Sequence, residues 1–94
     1  MNNKDKGMEE IFPNWNTEFG KTLRKLTKKV AEYYTETLDF GIKTSIIRVQ
    51  VCDYLDALIT PKTCYNDIHR VLTEYDLMQI ASIKRYMKKL HSLI

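Results

Sequence analysis

Apolar side chains recur at alternating steps of four and three near the start of the chain: Phe19, Leu23, Leu26, Val30, Tyr33, Tyr34 and Leu38. That spacing collects them on one side of a helix and predicts a core-facing stripe. Asn16 or Thr17 precedes it as a cap for the free amides of the first turn, with Glu18 beside the positive end of the helix dipole. Gly20 interrupts the stripe at a cost of about 1 kcal/mol relative to alanine. Phe40–Gly41 is read as the end of the pattern, with the glycine as a left-handed cap.

Two periods compete over residues 44–59. Ile47, Arg48, Val49, Gln50 and Val51 alternate as a half-buried strand would, yet Ile47, Val51, Tyr54 or Leu55, and Leu58 keep helical spacing for longer. Helix is the reading, because no other segment alternates and a strand needs a partner. Thr60-Pro61 marks a stop and a restart, since proline breaks a helix interior but suits a first helical position. A third helix over about 62–75 turns Cys64, Ile68, Val71, Leu72 and Tyr75 inward. A fourth places Ile80, Ile83, Met87, Leu90 and Ile94 at steps of three and four. The phase slips between Tyr75 and Met78, which predicts a break at Tyr75-Asp76-Leu77. Residues 1–13 have no period and form an expected mobile arm, from which Ile11 and Phe12, with Trp15 just beyond, can dock on the body. The fold expected is all-α: a small four-helix domain over residues 14–94.

Composition narrows the function. In a chain of 94 residues, 44% hydrophobic, folding buries roughly 60–65% of the unfolded surface, enough for one core and not for a deep substrate cleft besides. Lysine or arginine interrupts every apolar run, so no membrane span is expected. Met1 to Glu10 is polar where a secretory signal needs an apolar stretch, which points to an intracellular protein of cytoplasm or nucleus. Cys52 and Cys64 are accordingly expected as buried, reduced thiols.

Candidate chemistry is sparse. Cys52, Cys64, His69 and His91 lack the close pairs of a zinc site, so no metal and no cofactor is expected. Cys64 with His69 is the one thiol–imidazole pair, and a spacing of five residues sets it off a common helical face. Gly7, Gly20 and Gly41 stand apart and make no phosphate loop. Asp53 and Asp56 read as solvated helix decoration. No catalytic residue is assigned, and an enzyme is not expected.

Charge is more informative in its distribution than in its sum of +3. Residues 82–94 hold Lys84, Arg85, Lys88 and Lys89 with no acid, while residues 41–81 hold four basic groups against five acids. On the first helix Lys21, Arg24, Lys25, Lys28 and Lys29 lie opposite the apolar stripe, diluted by Glu32, Glu36 and Asp39. Cations at a helix C-terminus partly serve the dipole. Four on one short helix, with Tyr86 between them and Gln79 and Ser82 at its start, also provide what contact with a nucleic-acid backbone and groove requires.

Read together, residues 44–93 resemble the tri-helical core of helix-turn-helix proteins: a long helix, a second at Asn66 to Glu74, a connector, and Ser82 through Leu90 in the place of the recognition helix. The connector lacks the glycine usual in that turn. The resemblance implies a regulatory nucleic-acid-binding protein whose contacts are Lys84, Arg85, Lys88 and Lys89, and the charge pattern of the first helix adds Lys21, Arg24, Lys25, Lys28 and Lys29 in support. The alternative is a helical protein-interaction module, acting as adaptor, inhibitor or subunit, with a homodimer as its simplest form. Its motivation is a stock of aromatic rings, Phe12, Trp15, Phe40 and six tyrosines, generous for so short a chain.

Overall fold

The computed structural model describes residues 12–33 and 40–94, the backbone alone over 40–43. It is all-helical: α1 (Glu18–Tyr33), α2 (Phe40–Leu55), α3 (Pro61–Glu74), a 3₁₀ turn (Leu77–Gln79) and α4 (Ala81–Ser92), with no strand among the described residues. The four helices share one core. Leu23, Leu26, Ile47, Ile68, Leu72, Ile83 and Leu90 are fully enclosed in it, joined by Leu77 from the 3₁₀ turn. α1 lies between α2 and α4, α3 packs on α2, and the 3₁₀ turn ties α3 to α4.

The first helix opens on a built cap. Thr17 Oγ1 accepts from the Gly20 amide at 2.9 Å and donates to the Asn14 carbonyl at 2.9 Å, while the Asn14 amide nitrogen donates to the Tyr54 carbonyl. The turn at residues 13–16 is thus fastened to both α1 and α2, and it sets Phe12 and Trp15 against the core, their rings 6.0 Å apart. Gly20 follows from this packing. A Cβ there would overlap the Asn14 carbonyl oxygen and crowd that of Trp15, so the glycine admits a close backbone approach, and its lower helix propensity is the lesser effect. Of the expected arm contacts, Phe12 and Trp15 dock; residues 1–11 lie outside the described residues.

Three boundaries differ from expectation. Phe40 and Gly41 open α2 instead of closing α1. Tyr33, expected inside, is 56% exposed at the last turn of α1; Tyr34 and Leu38 lie outside the described residues. α2 stops at Leu55, not near residue 59. There Ala57 adopts φ 62°, its amide donates to the Tyr54 carbonyl, and the Leu58 amide donates to the Asp53 carbonyl at 2.8 Å. This is the Schellman pattern, in which a left-handed residue lets the chain return to the last free carbonyls. Alanine where glycine is usual conceals the stop in the sequence. Leu58, placed beyond it, is 70% exposed rather than core.

The second break is where the phase slip predicts it. Thr60 caps α3, its hydroxyl accepting from the Thr63 amide at 3.2 Å, with Pro61 in the first helical position. α3 then runs to Glu74. Asp76 takes φ 60° and the 3₁₀ turn follows, so an aspartate fills the left-handed position that lacks glycine, a conformation that Asp and Asn tolerate better than most residues. Ile83, Met87 and Leu90 of α4 are buried as expected, whereas Ile94, beyond the end of that helix, is 52% exposed.

Candidate functional site

α1 and α4 pack against each other with their buried stripes in the one core, each helix carries its cations on the side turned away from that core, and Lys89 of α4 reaches Glu18 of α1 at 3.9 Å. Two cationic helices some fifty residues apart in the chain therefore become neighbours. Between them α1 and α4 carry nine cations against two carboxylates, Glu18 and Glu32. The segment from α2 to the 3₁₀ turn, in contrast, nearly balances.

The two carboxylates account for few of the nine. Glu18 is shared by Lys21 at 4.0 Å and Lys89 at 3.9 Å, a link between α1 and α4, and Glu32 meets Lys29 at 3.4 Å. Such exposed pairs contribute about 0–1 kcal/mol each and exchange readily for a stronger anion. Lys25, Lys28, Lys84, Arg85 and Lys88 are exposed and form no ion pair with a described carboxylate. Arg24 stands apart. Its Nη1 donates to the Trp15 carbonyl at 2.9 Å and its guanidinium lies 3.9 Å from the centre of the Trp15 ring, a cation–π contact that fastens the N-terminal turn. Partial burial strips water from the charged guanidinium and pulls its pKa below the ordinary arginine value.

The cations of α4 divide around the helix. Lys89 leans toward α1. Lys84 and Lys88 border a shallow groove of about 320 Å³ between α3 and α4, with Tyr65, Met78, Met87 and His91. There the Tyr65 ring lies 5.8 Å from that of His69 and 5.3 Å from that of His91. Aromatic faces beside cations suit stacking and phosphate contact together. Sequence reading missed Tyr65. Its four-residue spacing to His69 was visible, but its meeting with His91 depends on α3 packing beside α4.

A second hollow, of about 330 Å³, lies between α1 and α2 and is lined by Arg24, Thr27, Lys28, Ala31, Thr44 and Arg48. Arg48 is also new to the site, having been read only as part of an ambiguous alternation.

One thiol is buried as expected and the other is not. Cys64 is buried, its Sγ 3.8 Å from the Gln50 carbonyl, and burial, reinforced by Asp67 and Asp53, pushes its pKa up to about 12. A neutral, enclosed thiol is a poor nucleophile. Cys52 is exposed instead of buried, because it lies on the side of α2 turned away from the core. Among the described residues no three of His, Cys, Asp and Glu come together as a metal site, and no helix is long and apolar enough to cross a membrane. Comparison with known proteins finds no family model, no curated protein and no solved structure that matches this chain.

Proposed function

We propose that the protein is a small, non-enzymatic nucleic-acid-binding protein of regulatory type, using the joint face of α1 and α4. The observation that carries this reading is the side-by-side packing of the two basic helices, with Lys84, Arg85 and Lys88 free of partners among the described carboxylates. A polyanion with regularly spaced charges is the partner that such a face complements, because each neutralised phosphate releases counterions. Lys84, Arg85, Lys88 and Lys89 are its principal contacts. Lys21, Lys25 and Lys29 extend the field, Lys28 lies toward α2 at its margin, and Arg24 chiefly holds the fold together. Tyr65 and His91 add flat surface at the edge of α4 on which an unpaired base can lie.

Fluorescence anisotropy with labelled single- and double-stranded oligonucleotides tests this. With four to six phosphates neutralised, log affinity falls against log salt with a slope of about 0.9 per contact. Absence of binding to any DNA or RNA at ~50 mM salt removes the reading, since the electrostatic term is strong there.

One observation favours the alternative of a protein-interaction module. Outside its core stripe α2 presents Val49, 60% exposed, and Cys52 in successive turns, and Leu58 is exposed just beyond its end. Sizing of the protein by light scattering separates the two readings: a dimer that survives neutralisation of α4 supports the alternative.

A further inference from the structure

We propose that the hollow between α1 and α2 is a binding site for a phosphate group, held by Arg24, Lys28 and Arg48 with the Thr44 hydroxyl beneath them. Three cations from two helices border one concavity whose other lining residues are Thr27, Ala31 and Thr44. Among the described residues no carboxylate lines it, and none of the three cations forms an ion pair with a described acid. Like charges converging on one hollow repel, and an oxyanion between them turns that repulsion into attraction.

Two further features fit an oxyanion. Thr44 is 96% buried, being 4% exposed, and its Oγ1 has no hydrogen-bond partner. Thr44 lines the hollow and buried hydroxyls are ordinarily satisfied, so its unsatisfied, enclosed Oγ1 is a spare donor in the wall of a cationic concavity. Arg24 is already positioned. The Trp15 carbonyl takes one of its five N–H donors and the indole covers one of its faces, which leaves its other donors for a planar, bidentate contact. An arginine held in this way loses less rotamer freedom on binding.

The adjoining hollow, about 230 Å³, shares Arg24, Thr27 and Arg48 and continues over Val51, Cys52 and Leu55. The substituent of an organic phosphate thus has an apolar floor to lie on. The site is on the α2 side of α1, apart from the α4 cations, and stands whether or not α4 binds nucleic acid.

The test is a ¹H–¹⁵N NMR titration of the full chain with inorganic phosphate, chloride being exchanged out at constant ionic strength. Saturable shifts are expected at the side-chain Nε–H of Arg24 and Arg48 and at the Thr44 amide. Arg48→Gln weakens binding about tenfold and Thr44→Val about threefold, with circular dichroism unchanged. Glutamine at Lys84, Arg85, Lys88 and Lys89 leaves it unaltered. Shifts that grow linearly without saturating, or a titration indifferent to both substitutions, overturn the site. An oligonucleotide arm identifies the source of the phosphate: Arg48→Gln lowers the salt slope by about one if a phosphodiester occupies the hollow. It leaves oligonucleotide affinity untouched, while phosphate affinity still falls, if the occupant is a free phosphate.

Discussion

α1 and α4 form one half of the molecule and α2 and α3 the other, and the two halves are enclosed by the same core while differing in what they show to water. The first half is cleanly divided into apolar and cationic sides. The second is nearly neutral, and α2 is apolar on more than one side, with Ile47, Val51 and Tyr54 inside and Val49 outside. Core formation and surface charge are therefore separate properties of this fold. A helix is recruited to the bundle by its buried stripe, and what lies opposite is free to serve another purpose.

If the core is common to both halves, truncation should cost the same in either. Leu23→Ala in α1 and Leu72→Ala in α3, both fully enclosed, are each expected to destabilise by about 3 kcal/mol, read by urea denaturation. A cost below about 1 kcal/mol for either variant would show that its side chain is not enclosed in a shared core, and that account would be abandoned.

Charge should break the symmetry. Replacing Lys84, Arg85, Lys88 and Lys89 by glutamine is expected to weaken oligonucleotide binding by about a hundredfold at low salt and to flatten its salt dependence. Replacing Lys62 and Arg70 of α3 is expected to change little. Equal losses from the two variants would show a diffuse attraction without a dedicated face.

Two backbone substitutions sharpen the comparison at the ends of α1 and α2. Gly20→Ala would ordinarily favour a helix, but here it forces the Asn14 carbonyl away and is expected to destabilise by about 2 kcal/mol. Ala57→Gly relieves a left-handed alanine and is expected to stabilise by about 1 kcal/mol. Thermal melts followed by circular dichroism decide both signs.

The smallest effect concerns the thiols of the second half. Unfolded, Cys64 ionises near its ordinary value of 9.0, whereas folded it holds its proton up to about 12. Below pH ~9 the thiol is neutral in both states; above it the unfolded chain alone releases the proton, so stability falls as pH rises through that window. Cys64→Ala, although less stable at neutral pH, should show a shallower decline between these limits in urea titrations at stepped pH. A disulfide reagent should modify Cys52 in the native protein and Cys64 only on unfolding.

Much of the architecture was legible because periodicity and punctuation are local. The stripe Phe19-Leu23-Leu26-Val30, the Thr60-Pro61 restart and the phase slip before Met78 each encode a backbone preference within a few residues. The end of α2 was not legible, since Ala57 occupies a position where its own propensity argues against the conformation it adopts. Tyr33 and Leu58 continue a periodic pattern to the last residue of a helix or beyond its end, where both are exposed.

What the amino-acid order determined alone is the set of helices, the caps that open α1 and α3, and the distribution of charge among them. What tertiary structure decided is which of those surfaces meet: that α1 and α4 lie together, that Tyr65 reaches His91, and that Arg48 comes across to Arg24 and Lys28. The physical reason is range. Helical spacing and capping act over three or four residues, whereas a binding face is assembled from side chains brought together by core packing, and the closure of that packing is not written at any one position.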